Sequence, residues 1–227
     1  MAVRFDQNSD LISYSSSVFN PATDGFTMTA WTLVSVDQNT FQTMARLYAG
    51  SSTVATLSTR SDGTTGPTYY TVSGSIEGTG SFTLLEWRKV AWTCSGTNGK
   101  AYFSVPDGAT QVFSGSVSSN SLVDGITLGG RAPNDLSEGL NGRLAYVRVW
   151  SDALSQAQIE AEWESVTPVR TTGLWADWVL ADASDLTDHS GNGNHLSAGT
   201  TPVTTEDGPP ISAAPSVTAF GQGFLLL

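Results

Sequence analysis

The sequence predicts an all-β fold, an antiparallel sandwich of two sheets that carries one short helix. Many short segments alternate apolar and polar side chains, and turn residues separate them at regular spacing, as in known sandwiches. Gly, Ser and Thr are abundant and only 14% of the residues are charged, a balance that does not suit a helical bundle. A chain of 227 residues, 39% of them hydrophobic, is long enough to bury one sizeable core.

The first 80 residues are predicted to form mainly strands. Period-2 alternation and flanking turn residues predict strands at residues 3–6, 11–14, 26–36, 43–49, 53–60 and 68–72. Residues 50–52 would join the fourth and fifth of these strands as a hairpin. Because residues 73–80 hold three glycines, we predict a loop there.

The middle of the chain contains a second predicted hairpin, between residues 87 and 105. Apolar side chains alternate over residues 90–94, and Asn98-Gly99 is a strong signal for a tight hairpin turn. Two further strands are predicted at residues 111–117 and 125–128. Two glycines follow the second of these strands and end it.

Residues 139–164 carry the most informative pattern, a turn, a strand and a helix. Asn141-Gly142 is a turn pair, and residues 143–150 alternate as a strand does. The predicted faces are Ala145, Val147 and Val149 on one side, and Leu144, Tyr146, Arg148 and Trp150 on the other. Since both faces carry large side chains, we expect a central strand that is covered on both sides.

The helix that follows has a clear start signal. Ser155 and Gln158 have the spacing of a capping box, in which each side chain bonds the backbone N–H of the other residue. Leu154 and Ile159 occupy the hydrophobic-staple positions, and Ile159 shares a face with Trp163. The sequence therefore predicts one helix of about three turns docked on the sheets. Three glutamates of this helix are interpreted as a solvated face: Glu160, Glu162 and Glu164.

The C-terminal part is predicted to close the sandwich and then to leave it. A strand at residues 174–180 would complete one domain over residues 1–199, and residues 188–196 form a compact polar turn. Residues 200–227 are rich in Thr and Pro and are predicted to be an extended arm. Its apolar end is a candidate partner-binding segment, because such side chains are not stable in water as an ordered isolated strand. The candidate residues are Phe220, Phe224, Leu225, Leu226 and Leu227.

Four segments resemble the laminin-G and pentraxin-like modules of the concanavalin A-like lectin/glucanase jelly rolls. They are VRFDQNSDLISYS, which resembles the first hairpin of such modules, FTMTAW, WRKVAWTCSGTNGKAYFSVPDG, and ITLGG followed by GLNGRLAYVRVWSDALSQAQIEAEW. Together they cover most of residues 3–163. The resemblance implies a jelly-roll sandwich that binds glycans or protein surfaces. Residues 174–196 resemble the segment that usually opens these modules, so the resemblance implies a permuted strand order.

Charge and composition disfavour several classes of protein. The formal net charge is −11 and no basic stripe is present, which disfavours a nucleic-acid partner. No apolar run has the length of a membrane span, and the N-terminus lacks the pattern of a signal peptide. We therefore expect synthesis in the cytoplasm. Cys94 is the single cysteine, so no intrachain disulfide is possible, and we predict a buried, inert thiol.

Calcium is the cofactor that the family resemblance implies, and no other cofactor is predicted. Asp188, Asn192 and Asn194 offer oxygen atoms within one tight turn, and Ca²⁺ prefers such ligands. Asp and Asn in turns also bond their own backbone, and the sequence leaves that alternative open.

Glycan binding would use aromatic platforms and polar loops. Tyr69 and Tyr70 are candidates for the rim of a binding site, together with Arg131, Asn134 and Asp135 of a later loop. The seven tryptophans lie in strand or helix patterns, so each is predicted to pack in the core.

No catalytic residue is predicted. Glycosidases need two carboxylates about 5 to 10 Å apart, and no strand here carries the Glu-x-Asp-x-Glu pattern of the glucanase relatives. The first hypothesis is a non-catalytic adhesion module for a glycan or a protein surface, displayed on a viral or phage particle. The second is a virion decoration or assembly protein that docks through its C-terminal arm to itself or to other virion proteins. A glycan-active hydrolase ranks last.

Overall fold

A computed structural model describes residues 1–6, 11–36, 41–50, 52–60, 65–71, 74–79, 83–105, 108–117, 121–130, 138–199 and 201–211, and all their side chains except those of residues 14–17, 60, 65–71 and 79. Within these residues the chain forms 15 strands and one helix. The strands are β1 (Ala2–Asp6), β2 (Leu11–Phe19), β3 (Phe26–Val34), β4 (Phe41–Ala49), β5 (Ser52–Arg60), β6 (Thr65–Thr71), β7 (Gly74–Thr79), β8 (Trp87–Ser95), β9 (Asn98–Ser104), β10 (Thr110–Ser116), β11 (Val123–Leu128), β12 (Asn141–Trp150), β13 (Leu174–Trp178), β14 (Ser197–Ala198) and β15 (Thr204–Glu206). The helix is α1 (Gln156–Trp163).

The strands form two antiparallel sheets, which confirms the predicted fold class. Sheet A has the order β10-β9-β8-β3-β12-β1-β15, and β13 also pairs with β12. Sheet B has the order β14-β2-β11-β4-β5-β6-β7. The main core lies between the sheets and includes Met28 and Trp92 of sheet A and Leu47 and Ile126 of sheet B. Among the residues that the structure describes, no helix is long and apolar enough to cross a membrane.

The predicted first hairpin is wrong, because β1 and β2 belong to different sheets. β1 pairs with β12 and β15 in sheet A, whereas β2 pairs with β11 and β14 in sheet B. Val3 and Phe5 of β1 and Leu11 of β2 all lie in the core. The two strands therefore cover the core from opposite sides instead of pairing with each other.

The predicted loop at residues 73–80 is also wrong, since β7 occupies most of it. β7 pairs antiparallel with β6, and Ile76 places its side chain in the core. Gly74 permits this arrangement, because a Cβ atom there would collide with the carbonyl oxygen of Ser116. Gly74 thus allows β7 and β10 to approach closely and does not mark a loop.

The alternation predicted for residues 143–150 is broken by a β-bulge. The register of β12 against β3 shifts between Ala145 and Arg148, and Tyr146 adopts a φ of 50°. Leu144 therefore shares the core with Val147, on the face opposite to Arg148. The turn predicted at Asn141-Gly142 is part of β12 as well.

The C-terminal part adds strands to both sheets. β13 pairs with β12 beyond the bulge, on the same edge that β1 occupies before it. β15 pairs with β1, and Val203 lies in the core. Residues 201–211 therefore continue the sandwich, although the sequence placed them in an extended arm. The five candidate partner-binding residues lie outside the described residues: Phe220, Phe224, Leu225, Leu226 and Leu227.

Candidate functional site

Helix α1 packs on the outer face of sheet A and shapes the candidate site. Its predicted capping box is present: the Ser155 N–H donates to Gln158 Oε1 at 2.9 Å, and the Gln158 N–H donates to Ser155 Oγ at 3.4 Å. Ile159 and Trp163 are buried and pack with Trp150 of β12. The helix is therefore fixed at its start and along one face.

Side chains from sheet A hold the C-terminal end of α1. Arg148 donates to the carbonyl oxygens of Glu162 at 3.0 Å and Ser165 at 2.9 Å. Trp31 Nε1 donates to the carbonyl oxygen of Trp163 at 3.1 Å. The last carbonyls of a helix have no partner within the helix, so these bonds satisfy groups that would otherwise need water.

Arg148 also forms a buried ion-pair network. Its guanidinium lies 3.1 Å from Glu162 Oε2 and 3.1 Å from Asp177 Oδ1, and the three side chains are 1%, 1% and 4% exposed. The backbone N–H groups of Val169 and Arg170 donate to the Glu162 carboxylate at 3.1 and 2.7 Å. The prediction that Glu162 belongs to a solvated face is therefore wrong, because its carboxylate is satisfied inside the protein. Burial raises the pKa of the Asp177 carboxyl, and Arg148 opposes that shift.

A groove of about 640 Å³ runs beside the C-terminal half of α1. Three indole rings line it, from Trp31 of β3, Trp87 of β8 and Trp163 of α1, and we call it the tryptophan groove. Its polar lining includes Lys89, Ser104, Thr110, Glu160 and Glu164. The groove thus combines aromatic and charged side chains that lie far apart in the sequence.

The three rings play different parts in the groove. Trp31 and Trp163 are 8% and 3% exposed and form its floor, and Trp163 Nε1 donates to the carbonyl oxygen of Val90 at 3.1 Å. Trp87 is only partly buried and packs against the cluster formed by Ala2, Trp31 and Ala145. The partly buried Trp87 side chain offers an apolar surface to a ligand. Trp31 and Trp163 are held in place by the hydrogen bonds of their Nε1 groups.

The charged groups of the groove are held in place. The Lys89 ammonium lies 5.1 Å from the centroid of the Trp31 ring and forms an ion pair with Glu164. Glu160 Oε1 accepts a hydrogen bond from Gln156 at 2.9 Å. Hydrogen bonds with Gln156 and then Thr110 lower the pKa of Glu160, so this carboxylate is ionised at neutral pH. The groove therefore contains fixed hydrogen-bond acceptors beside an aromatic surface.

A second groove, of about 470 Å³, lies near the N-terminal end of α1. Ser155, Gln158, Asn98 and Lys100 contribute to its lining, and we call it the amide groove. Tyr102 also lines it, and burial, followed by the Glu160 carboxylate, raises the pKa of this tyrosine. The amide groove lacks the large aromatic surface of the tryptophan groove.

Asp188 organises the predicted polar turn at residues 188–196. Its Oδ1 accepts the backbone N–H groups of Asp177 and Ser190, each at 2.9 Å. Its Oδ2 accepts the Ser190 hydroxyl at 2.8 Å and the backbone N–H of Asn194 at 2.9 Å. Both oxygens of the Asp188 carboxylate thus accept hydrogen bonds from the turn, and Oδ1 also joins the turn to Asp177 of β13.

The candidate calcium ligands Asp188, Asn192 and Asn194 do lie together in this turn. The side-chain amides of Asn192 and Asn194 donate to the carbonyl oxygen of Trp175 at 3.1 and 2.5 Å. The described part of the chain holds no group of three or more His, Cys, Asp or Glu side chains able to bind a metal ion. These hydrogen bonds match the alternative given above, in which the Asp and Asn side chains bond the backbone of their own turn. Calcium binding stays a prediction.

Two residues of the predicted binding rim belong to a different sheet from the tryptophan groove. Tyr69 and Tyr70 belong to β6 of sheet B, whereas the groove lies on sheet A. Arg131, Asn134 and Asp135 lie outside the residues that the structure describes. The role predicted for these five residues therefore stays a prediction.

Sequence reasoning missed the tryptophan groove because it assigned every tryptophan to the core. That assignment fits Trp92, Trp150 and Trp178, which are 0% exposed, but Trp87 is only partly buried. Trp87 is the first residue of β8, where the strand leaves a loop. This position at a strand end is the one sequence signal that distinguishes Trp87 from a buried tryptophan.

The fold and its surface grooves define a β-sandwich with one helix docked on an outer face. The chain belongs to the concanavalin A-like lectin/glucanases superfamily, since a laminin G-like family model of that superfamily matches residues 6–160. The resemblance found in the sequence is thereby confirmed. A comparison with curated proteins gives no significant match.

Several solved structures share this fold. A candidate carbohydrate-binding protein from Bacteroides ovatus is 17% identical with a TM-score of 0.64, and the match covers 92% of this chain and 60% of that one. The enzymatically active domain of bacteriophage CBA120 tailspike protein 2 is 15% identical with a TM-score of 0.54, over 74% of this chain and 28% of that one. A heptameric SAP-like pentraxin from Limulus polyphemus is 15% identical with a TM-score of 0.50, over 87% and 97%. At such identities the likeness shows the fold alone.

Proposed function

We propose that this chain is a non-catalytic binding module that recognises a glycan in the tryptophan groove. The observation that carries the proposal is a groove lined by the partly buried Trp87 together with the buried Trp31 and Trp163. A sugar ring has an apolar face of C–H groups and a rim of hydroxyls. The indole ring matches the apolar face, and Lys89 and Glu160 match the hydroxyls.

Membership in a superfamily of lectins and glucanases supports a glycan as the ligand. The candidate carbohydrate-binding protein from Bacteroides ovatus shares the fold over most of this chain, which is consistent with the same ligand class. This chain spans about 60% of the length of that protein, so the proposal concerns the module alone.

The chemistry of the groove favours binding over hydrolysis. A glycosidase needs a carboxylic acid whose pKa is raised, so that it can protonate the leaving oxygen. The pKa of Glu160 is instead lowered by its hydrogen bonds with Gln156 and Thr110. The second carboxylate, Glu164, forms an ion pair with Lys89, and its side chain is 70% exposed. Neither group has the surroundings of a general acid.

A single substitution tests the proposed site. Trp87→Ala should weaken glycan binding by about tenfold or more, because the apolar surface is lost, which corresponds to about 1.4 kcal/mol. Isothermal titration calorimetry with a glycan selected on an array gives the affinity. Leu122→Ala, which removes another exposed apolar side chain, is the control. Unchanged affinity in Trp87→Ala, with the fold intact by circular dichroism, would contradict the site.

Calcium in the turn at residues 188–196 is tested separately. A calcium site would raise the melting temperature when Ca²⁺ is added and would lower it again with a chelator. Glycan binding that disappears on chelation would make the module a calcium-dependent lectin. Binding that persists in the chelator would assign recognition to protein groups alone.

A viral or phage particle is a second candidate context. The tailspike domain of bacteriophage CBA120 shares the fold, and Ile211 packs against the cluster of Ala2, Trp31 and Ala145. The apolar residues of the following segment, Phe220 among them, would then dock on a partner. Deleting residues 212–227 should abolish assembly with particle proteins or self-assembly and leave glycan binding intact. Assembly that survives this deletion would contradict the docking role.

A further inference from the structure

We infer that the tryptophan groove selects uncharged glycans and rejects glycans that carry carboxylate or sulfate groups. The inference rests on the proposed function and adds to it the chemical class of the ligand. It follows from which charges face the groove and which of them are already neutralised by neighbouring groups.

Among the described residues that line the groove, the two cations, Lys89 and Arg88, already have anionic partners. The Lys89 ammonium is shared between the Glu164 carboxylate and the face of the Trp31 ring. Arg88 is 5% exposed, forms an ion pair with Glu86 and lies 5.9 Å from the centroid of the Phe103 ring. An acidic sugar entering the groove would therefore have to compete with an existing carboxylate for either cation.

The remaining charge in the groove is negative. Glu160 is bonded mainly by the neutral groups of Gln156 and Thr110 and interacts with the Lys89 ammonium, which Glu164 already pairs, so a net negative charge remains on these groups. Like charges a few ångströms apart repel, and the net charge of −11 adds to the repulsion at low ionic strength. An ionised carboxylate also accepts hydrogen bonds well, so it favours the hydroxyl groups of a neutral sugar.

The amide groove offers a contrast within the same molecule. Lys100 is exposed there and lies opposite Thr93 on β8 and Ser114 on β10. Within the described residues no carboxylate pairs with Lys100. Among the residues that the structure describes, the cation open to an acidic glycan is therefore Lys100 near the N-terminal end of α1, outside the tryptophan groove.

Matched pairs of hexasaccharides test the inference. The probes are oligomers of glucose against glucuronic acid and of galactose against galacturonic acid, titrated by calorimetry at low salt. We expect the uncharged member of the binding pair to bind at least about tenfold more tightly, and this ratio to shrink as salt screens the repulsion. Glu160→Gln should raise the affinity for the acidic member relative to that for the neutral member, because the substitution removes the repelling charge.

The outcomes separate the inference from the proposed function. Equal or tighter binding of the acidic member, with loss in Trp87→Ala, would overturn the charge selection and keep the site. A ratio that Glu160→Gln leaves unchanged would also overturn it. Acidic binding that is lost in Lys100→Ala and kept in Trp87→Ala would agree with the charge distribution. If only an acidic glycan of the array binds in the tryptophan groove, this inference fails and the proposed function stands, whereas the absence of any glycan ligand on the array overturns both.

Discussion

Arg148 joins three parts of the molecule through one guanidinium. It contacts Glu162 of α1, Asp177 of β13 and the carbonyl oxygen of Ser165 after the helix. Breaking a buried ion pair costs about 3 to 5 kcal/mol, and the Asp177 carboxylate keeps the loss of Glu162 at the lower end of that range. The orientation of α1, and with it the wall of the tryptophan groove, therefore depends on this network.

Replacing Glu162 by Gln should lower the free energy of unfolding by about 3 kcal/mol. The amide keeps only one acceptor oxygen, so its NH₂ group would face either the N–H of Arg170 or the donors of Val169 and Arg148. Chemical denaturation at neutral pH measures the change. Glu164→Gln is the matched control on the same helix, and it should cost less than about 1 kcal/mol because its ion pair is exposed. Similar losses in both variants would contradict a stabilising role for the buried network.

The sequence could not distinguish Glu162 from its helical neighbours Glu160 and Glu164. All three are glutamates in one short segment, and a charged residue on a helix is usually solvated. Glu162 is buried because Arg148 and Asp177 approach it from two strands. That proximity is set by tertiary packing, which no local pattern records.

Helix α1 is the element that local sequence signals predicted best. The Ser155 and Gln158 bonds satisfy N–H groups at the start of the helix, where no intrahelical partner exists. Ser155→Ala should therefore lower the free energy of unfolding by about 1 kcal/mol. A urea titration measures this loss, with Ser121→Ala, at an exposed serine outside the helix, as the control. Equal stability of Ser155→Ala and the wild type would contradict the role of the cap.

Strands were predicted less completely than the helix. Alternation located β12 and the hairpin of β8 and β9, but one inserted residue shifts every later side chain to the other face. Tyr146 is that residue in β12. β7 was missed for a related reason, because Gly74 serves a close contact between strands that its neighbours in sequence do not reveal.

At the scale of the whole molecule, the fold was predictable and the tryptophan groove was not. Alternation and turn residues recur along the chain, so the fold class survives local errors. The groove combines Trp31, Trp87, Thr110 and Glu160, which meet only after sheet A forms and α1 docks on it. Its location is therefore a property of the assembled sandwich.

The central claim is that a glycan binds at Trp87 in the tryptophan groove. A ¹⁵N–¹H spectrum of the seven tryptophan indoles, titrated with a glycan selected on an array, tests this claim most directly. We predict saturable shifts of the Trp87 and Trp31 signals. The Trp178 signal should stay unchanged, because its Nε1 donates to the carbonyl oxygen of Asn194 at 2.8 Å inside the core. Binding that leaves the Trp87 and Trp31 signals in place would contradict the account.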